Sequence, residues 1–513
     1  MRSPLQNSTG LRFHCFSSVS SLLLLCTLLT ACTPGPKYHA PAAPSLTAKS
    51  YKESTVNFQD ADGWKVASPQ DAMLRGKWWE IFHDSELNGY EEQLEINNQN
   101  IKQYFENLMA ARALIREARA QYWPTVTTGP SWNRSKTSGN LGRSSTANAG
   151  STSSTWSFPL DISWTPDFFG KIRNEVREAQ YGAQVSAADL ENEKLIEQAT
   201  LAESYFQLRG QDALAKVLND TVESDKKALE INKTLYDTGI GDYLSVTAAE
   251  STLKSAESAA LNVGIARAQY EHAIATLLGK PATDFSIPVK PLLIVPPPIP
   301  AGVPSQLLER RPDVAAAERT LAEADATIGI GYGAFYPSVT LSASGAFEAS
   351  TFEHWFDWPS RFWSIGPSTS QLIFDGGLYR AELHQYQATY NADVAIYRQT
   401  ALTAFQQVED YLAATRILSL QTIKQREAVE AAQTTLNLEM GRFETGIDPY
   451  IDVTTAQVTL LSDQESLVTL QIQEAVASIE LIQALGGGWD ITQLPTPAQL
   501  SSKPAKTDYV IQR

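Results

Sequence analysis

Cysteine is nearly absent from this sequence of 513 residues, which contains only three. Cys15 and Cys26 fall within residues 1–31, where Arg2 and Arg12 precede a short apolar core, the pattern of a cleavable signal peptide. That core is too short to span a membrane permanently. Its removal would leave Cys32 alone, so we predict that the mature chain contains no structural disulfide.

Residues that build catalytic and metal sites are also scarce. The four methionines form no cluster, the six histidines do not stand at metal-ligand spacing, and the sequence has no P-loop, nucleophile elbow or HExxH motif. The glycine-rich run at residues 329–333 lies between a predicted helix and a strand, without the βαβ setting of a phosphate loop. We therefore expect neither an enzyme nor a bound cofactor or metal.

Positive charge is in deficit, since 41 Lys and Arg residues face 57 Asp and Glu residues and the net charge is −16. Nucleic-acid-binding proteins carry basic faces that neutralise phosphates. The composition therefore disfavours a general role in binding nucleic acid.

A long stretch lacks both glycine and proline. Between Leu378 and Met440 neither occurs, and apolar residues recur at helical spacing, which predicts one uninterrupted helix. About 60 residues at 1.5 Å each give roughly 90 Å, about three times the hydrocarbon thickness of a membrane. The helix is expected to end near Gly446, and Pro449 suits the first turn of a return helix that runs to Leu485. Such a helix must be a strut or the wall of a tube.

The same design occurs earlier in the chain. Residues 236–246 match residues 443–453, so that Gly239 and Gly446 stand 207 positions apart, and Trp156 matches Trp363 at the same offset. A first long helix is predicted from about Gly170 to Asp237. The chain is therefore a tandem duplication.

Two segments change to a period of two. Alternating residues from Val126 to Trp132 and again over residues 156–164 predict one hairpin, and residues 338–347 with a return strand from about Trp363 to Phe374 predict a second. Strands of about ten residues with aromatic ends are typical of a transmembrane β-barrel, with a soluble β-sandwich as the alternative. Four strands cannot close a barrel, because the smallest membrane barrels use eight. Several protomers must therefore share one barrel.

These patterns, together with the two resemblances given next, predict six segments. They are a signal peptide (1–31), a lipid-anchored tether with an equatorial segment (32–85), a first repeat (86–280), a proline-rich connector (281–306), a second repeat (307–487) and a C-terminal equatorial tail (488–513). Within the first repeat a helix is predicted from Glu86 to Gln121, and within the second Pro312 and Asp313 specify a helix start.

Residues 29–32, Leu-Thr-Ala-Cys, resemble the lipobox of bacterial lipoproteins. The resemblance implies that Cys32 becomes the acylated N-terminus, and Thr33, which is not the Asp that retains lipoproteins in the inner membrane, implies delivery to the outer membrane. A plain secretion signal with a chance cysteine is the alternative.

The motif Leu-Leu-Glu-Arg-Arg-Pro-Asp-Val at residues 307–314, the two glycine-centred turns, Phe-Tyr-Pro at 335–337 and Phe-Asp-Gly-Gly at 374–377 together resemble the outer membrane factor (TolC-like) family. The likeness covers essentially the whole mature chain and is greatest to lipidated NodT-type channels of resistance-nodulation-division (RND) efflux systems. It implies a mainly α fold with a transmembrane β part: a homotrimer in which two β-hairpins, four strands per protomer, form a 12-stranded outer-membrane barrel above a long α-helical periplasmic barrel. It also implies contact with outer-membrane lipid, a periplasmic adaptor protein and an inner-membrane RND pump.

The family's tip motif can be carried over residue by residue. Asp452 matches a constriction aspartate and Phe443 a tip aromatic, and three copies of Asp452 would form an acidic ring that favours cations. Thr455 stands where the family often has a second acid, and Asp448 replaces a basic residue, with helix capping as its alternative role. Adaptor docking is expected at the two tip turns, on Thr238, Gly239, Ile240, Thr445, Gly446 and Ile447.

These expectations favour a passive exit duct for a tripartite pump that exports drugs or other small toxic compounds. The exit duct of a protein or peptide secretion system and a structural envelope lipoprotein are the alternatives. The lipobox favours efflux over secretion, because family members dedicated to secretion usually lack it.

Overall fold

The computed structural model describes residues 38–41, 51–53, 76–139, 150–291, 299 and 309–502. The signal segment, Cys32, most of the tether and connector, and the end of the tail lie outside the described residues. Among the helices described, none combines the length and the apolar character needed to cross a membrane.

Eight α-helices and five β-strands make up the part of the chain used below. The helices are α1 (Ser85–Asn97), α2 (Gln99–Ala120), α3 (Lys171–Asp237), α4 (Tyr243–Leu277), α5 (Pro312–Gly333), α6 (Leu378–Glu444), α7 (Tyr450–Ala484) and α8 (Pro497–Leu500). The strands are β1 (Thr125–Thr128), β2 (Ser131–Lys136), β3 (Thr152–Trp164), β4 (Ser338–Ala349) and β5 (Arg361–Ser370).

Helix lengths reproduce the duplication. The long helices α3 and α6 have 67 residues each and the return helices α4 and α7 have 35 each, at the predicted offset of 207 positions. The helices that precede the hairpins, α2 and α5, have 22 residues each but start at positions 99 and 312, which are 213 apart. The change of offset falls between the two strands of the first hairpin, whose connecting segment is longer than that of the second. Both long helices are confirmed, and each spans about 100 Å.

Within each repeat the two shorter helices stand end to end beside the long one. At the junction of α4 and α2, the Asn98 side-chain amide donates to the Leu277 carbonyl at 3.0 Å. At the junction of α7 and α5, Arg311 Nη1 donates to the Ala484 carbonyl at 3.1 Å, so this residue of the 307–314 motif satisfies the end of a helix. In each repeat, two helices therefore lie side by side along the whole length of the long helix.

The two repeats are joined by close contact of their helices. A Cβ added to Gly210 of α3 would lie 2.2 Å from Cδ1 of Ile472 on α7. In the same way a Cβ on Gly329 of α5 would lie 2.5 Å from the Asn174 amide of α3. The glycine-rich run at 329–333 is therefore a packing surface at which α5 approaches its neighbours.

The equatorial core begins at Trp78 and Trp79, both almost fully buried. Deeper in this region the fully buried Arg209 of α3 pairs with Asp212 at 3.2 Å and with Glu86 at 2.8 Å, and donates to the Pro288 carbonyl at 2.7 Å. These bonds leave the buried guanidinium compensated by charge, which a buried cation requires.

The strands form a single antiparallel sheet. Its order is β1 and β2 on one side of β3, then β4 and β5, with β3 and β4 paired from Trp156–Ala349 to Trp164–Leu341. Phe158, Leu160 and Ile162 lie on one face, and Ser157, Asp161 and Ser163 on the other, where Ser344 Oγ donates to the Asp161 carboxylate at 2.6 Å. Both predicted hairpins are present, and in the described part of the chain the outer edges of β1, β2 and β5 have no partner strand.

Two elements differ from the sequence-based expectations at internal breaks. The helix expected over residues 86–121 is interrupted at Asn98, whose extended backbone ends α1 and whose side chain caps α2 through the amides of Asn100 and Ile101. The first strand is interrupted at residues 129–130, because Pro130 has no N–H to donate, although the register with β3 continues across the gap.

The last predicted strand is too long. It was expected to reach Phe374 but begins at Arg361 and ends at Ser370, whose partner Ser338 is the first residue of β4. Pro337 precedes Ser338, so no ladder partner is available beyond this point. Residues 371–377 instead lead into α6, where the Asp375 carboxylate accepts from the amides of Gly377 and Tyr379.

Four helices end in the same kind of glycine cap. Gly239, Gly279, Gly446 and Gly486 all have positive φ angles, between +65° and +93°, and the next residue donates its N–H back to the helix. At the tips no atom of the described residues lies within 4 Å of a Cβ added to Gly239 or Gly446, whereas a Cβ on Gly486 would lie 1.9 Å from the Arg310 carbonyl oxygen. The equatorial cap is therefore restricted by contact as well as by backbone conformation.

We predict that Gly486→Ala destabilises the protein more than Gly446→Ala. Each alanine must adopt a left-handed conformation, at about 1 kcal/mol, and only Gly486→Ala also displaces a backbone carbonyl, for about 2 kcal/mol more. Thermal unfolding of the detergent-solubilised proteins measures the difference. Equal midpoints for the two variants would contradict the crowded packing at the junction of α7 and α5.

Candidate functional site

The helices that carry the tip turns at residues 238–242 and 445–449 share one apolar core near the end of the long helices. Their core contains Val222, Leu229 and Leu253 from the first repeat and Val453 from the second, with Phe443 packed against it. The Phe443 ring also contacts that of the buried Tyr450, with centroids 5.3 Å apart. Phe443 therefore packs between its own return helix and the core that the two repeats share.

Local hydrogen bonds fix both turns in similar shapes. The Thr238 hydroxyl donates to the Thr234 carbonyl at 2.9 Å, and the Thr445 hydroxyl to the Gly441 carbonyl at 3.0 Å. Gly239 and Gly446 adopt the left-handed conformation predicted for both. Each turn thus presents its next residue to solvent, Ile240 in one and Ile447 in the other.

The end of the molecule is apolar and exposed. Ile240 is 79% exposed and Ile447 66%, and further exposed side chains flank them on α4 and α7, namely Tyr243, Leu244 and Ile451. Single exposed apolar residues are common, but a cluster at the extremity of an elongated molecule marks an interaction surface. We call these five residues the tip surface.

The second turn is held by an ion pair. Arg442, in the last turn of α6, donates from Nε and Nη2 to the two carboxylate oxygens of Asp448, with the Nη2 contact at 2.9 Å. The guanidinium holds the pKa of the Asp448 carboxyl below its usual range. The capping alternative for Asp448 is wrong, because the N-cap residue of α7 is Pro449 and the Asp448 carboxylate accepts from Arg442.

The first turn uses its acid differently. Asp242, at the position that corresponds to Pro449, is the N-cap of α4 and accepts from the Ser245 amide at 2.9 Å. Hydrogen bonds from the Ser245 side chain and amide lower the pKa of Asp242. The two turns therefore share a backbone shape and differ in where their charge is placed.

Asp452 is exposed in the first turn of α7. One carboxylate oxygen each from Asp452, Asp448 and Glu439 lie within 4.8 Å of one another, so three acids meet on one side of the second turn. Thr455, one helical turn along α7, is also exposed, and its hydroxyl donates to the Ile451 carbonyl at 2.8 Å. The structure brings Asp452 and Thr455 to one side of α7, while Phe443 packs on Tyr450.

Sequence reasoning missed three residues of this region. Glu439 and Arg442 stand three positions apart in the last turns of α6, a spacing that places both beside the turn. Asp225 of α3 is almost fully buried, neither of its carboxylate oxygens has a hydrogen-bond partner among the described residues, and burial raises its pKa to about 6. Nothing in the polar pattern around Asp225 distinguishes it from the solvated acids of the same helix.

Known proteins match this chain along nearly its whole length. The family model of the outer membrane efflux protein matches residues 91–280 and 303–487. The antibiotic efflux pump outer membrane protein ArpC of Pseudomonas putida is 30% identical over 475 residues, which cover 92% of this chain and 96% of ArpC. The outer membrane protein OprJ of Pseudomonas aeruginosa is 29% identical, with 92% and 96% covered.

The fold matches solved structures as well. The outer-membrane channel OprN superposes with a TM-score of 0.79 at 27% sequence identity, over 89% of this chain and 100% of OprN. The agreement extends to the mainly helical architecture with a small antiparallel sheet.

Proposed function

The chain belongs to the outer membrane efflux protein family, and we propose that it is the passive exit duct of a tripartite pump that exports drugs or other small toxic compounds. It is an outer-membrane protein of the TolC-like fold. One observation carries the proposal: a sheet with one apolar face, and with two edges that no described strand pairs, stands directly on helices about 100 Å long. This combination suits a tube that opens through the outer membrane and extends into the periplasm.

The unpaired edges support a shared barrel. β1 with β2 and β5 present N–H and C=O groups that lipid cannot satisfy, and each such group left unpaired in hydrocarbon costs several kcal/mol. Ring closure between copies pairs every edge with an identical partner edge. A homotrimer with 12 strand positions fits the family geometry, and the same three-fold ring would arrange α3 to α7 as an α-helical barrel.

The tip surface supports docking to a periplasmic adaptor and, through it, to an inner-membrane RND pump. It is apolar, exposed and remote from the sheet, and it contains Ile240 and Ile447 of the two proposed docking turns. Thr238, Gly239, Thr445 and Gly446 shape those turns by the hydrogen bonds and left-handed conformations described above.

We predict that the detergent-solubilised protein is a trimer. We also predict that deletion of its gene makes the cell more sensitive to the exported compounds. Light scattering corrected for detergent gives the mass, and growth in the presence of antibiotics or toluene, the compounds in the names of its relatives, measures export. Restoring the gene should restore resistance. A folded monomer or dimer would contradict the shared barrel, and unchanged sensitivity to every such compound would contradict the efflux role.

Lipidation of Cys32 is supported by the position of Tyr38, six residues downstream. The Tyr38 hydroxyl donates to Glu318 Oε1 at 2.5 Å, and its ring lies 6.2 Å from that of Tyr181 on α3. Tyr181 is ten residues along α3, about 15 Å from the end nearest the sheet, and six extended residues reach about 20 Å. An acyl chain on Cys32 could therefore enter the periplasmic leaflet.

We predict that cells grown with radioactive palmitate label the wild type but not Cys32→Ser. Cys32 is the only cysteine outside the signal segment, and serine lacks the thiol that takes the diacylglycerol, so the substitution abolishes attachment. Because the barrel itself holds the protein in the membrane, the variant should still fractionate with the outer membrane. Label in Cys32→Ser, or cleavage far from Ala31, would refute the lipoprotein assignment.

We propose that Asp452, with Phe443 and Thr455 beside it, forms the narrowest point of the closed periplasmic end. In the proposed trimer, one Asp452 carboxylate from each protomer would face the axis, and such a ring attracts cations and repels anions. Phe443 packs on Tyr450 at the start of the helix that carries Asp452. Glu439 and Asp448 lie close enough to strengthen this negative field, although Arg442 offsets part of it.

We predict that Asp452→Asn weakens cation selectivity in planar bilayers. The matched control is Asp242→Asn on the other turn, where asparagine retains the cap of α4 and only charge is lost. The control should change selectivity less. A folded, trimeric Asp452→Asn channel with unchanged selectivity would exclude Asp452 from the constriction.

A further inference from the structure

We propose that the outward face of the barrel binds a phosphorylated glycolipid of the outer leaflet at each protomer junction, through Arg134, Lys136 and Arg361. The inference rests on the proposed trimeric barrel. It concerns the end of the sheet farthest from the helices, which takes no part in docking or in the constriction.

The three cations lie on the apolar face of the sheet. Trp132 pairs with Trp156 in the ladder, so alternation places Arg134 and Lys136 on the same face as these two indoles. Phe347 pairs with both Phe158 and Arg361, which places Arg361 on that face too. This is the face that meets lipid, because the opposite one is formed largely by Ser, Thr and Asp.

The three cations also lie at the level expected for the headgroups of the outer leaflet. β1 follows α2 and β5 leads to α6, so Lys136 at the end of β2 and Arg361 at the start of β5 mark the end of the sheet remote from the periplasmic helices. Arginine and lysine at the limit of an apolar face extend their charge to the lipid headgroups while their stems stay on apolar surface.

A group of four aromatic residues, Phe352, Trp355, Phe356 and Trp358, lies beside the cations and is called the ledge. The segment between β4 and β5 folds back over the apolar face, where Trp355 contacts Trp156 and Phe158 with ring centroids 5.3 and 6.5 Å away. Phe352, Phe356 and Trp358 of the same segment are 58–70% exposed. Amphipathic aromatic rings favour the boundary between acyl chains and headgroups, so the ledge offers a surface for acyl chains directly below an anion.

The cations are available to a ligand. Arg134 and Lys136 are exposed and have no carboxylate partner among the described residues. The Arg361 guanidinium stacks on Trp358, with Cζ 3.4 Å from the ring centre, and this stacking leaves its N–H edge open to phosphate oxygens. Of the two nearby acids in the ledge segment, Asp357 is bonded to His354 at 2.7 Å, which leaves Glu353 as the opposing charge.

Ring closure brings these groups together. Within one protomer β2 and β5 are the opposite edges of the sheet, so Arg134 and Lys136 are separated from Arg361 by two strands. In a closed barrel β2 of one copy is adjacent to β5 of the next, and the three cations then share one junction. Each site is incomplete without the neighbouring copy, so a bound diphosphorylated lipid would bridge two protomers.

Native mass spectrometry of the solubilised full-length protein tests the proposal, with diphosphoryl lipid A as the probe. Wild-type trimers should bind it at least about tenfold more tightly than lipid A from which both phosphates have been removed, or phosphatidylglycerol. The triple variant Arg134→Gln, Lys136→Gln, Arg361→Gln should lose this preference. The matched control replaces three exposed periplasmic lysines by glutamine, Lys216, Lys226 and Lys254, and should retain it.

Equal binding of the phosphorylated and dephosphorylated lipid by wild-type trimers would overturn the inference, and this comparison needs no variant to fold. Retained preference in the triple variant would overturn it as well. The same spectra report the oligomeric state, so an intact trimer without lipid preference refutes only this inference. A wild type that is not trimeric refutes the proposed assembly itself.

Discussion

The need to satisfy the backbone groups at two sheet edges governs this molecule. A four-position sheet cannot close on itself, because barrel diameter and strand tilt are linked to strand number. The apolar outer face that suits lipid also removes the water that would otherwise bond β1, β2 and β5 at their edges. In the proposed trimer, assembly is therefore part of folding, and the helices below the sheet follow the symmetry that pairing of the edges imposes.

The helical part meets a different demand, which is constancy over a long distance. The equal lengths of α3 and α6 and of α4 and α7 bring both tip turns to the same level. Breaks are confined to places where another helix continues the wall. At these places polar groups bind the exposed helix ends, as Asn98 does at Leu277 and Arg311 at Ala484. Duplication supplied two matching struts from one design.

The sequence predicted the elements that depend on local pattern. The long helices, the glycine caps at Gly239 and Gly446, the start of α5 at Pro312 and the two hairpins all follow from periodicity and from the conformations open to Gly and Pro. The errors occur where a residue far away in the sequence determines where a helix or strand ends. Asn98 breaks a helical pattern because α4 ends against it, and β5 stops at Ser370 because Ser338 is the last available partner. At the tip, the motif located Asp452 and Phe443, but the Arg442 contact to Asp448 depends on the path of the turn between them.

The two tip turns differ at the N-cap position of the return helix, which is Asp242 in the first turn and Pro449 in the second. The acid in the first turn caps a helix, whereas Asp452 beside the second turn stays exposed. Asp242 uses its carboxylate to satisfy the first turn of α4, so its charge is committed to the backbone. Pro449 holds the equivalent position in α7 and has no side-chain acceptor to offer, and the second turn is tied instead by Arg442 and Asp448. Asp452 then complements the positive end of α7 while remaining exposed, and Ser245 at the equivalent position of α4 carries no charge. The duplicated turns thus retain one backbone shape, and the cluster of acids lies beside only one of them.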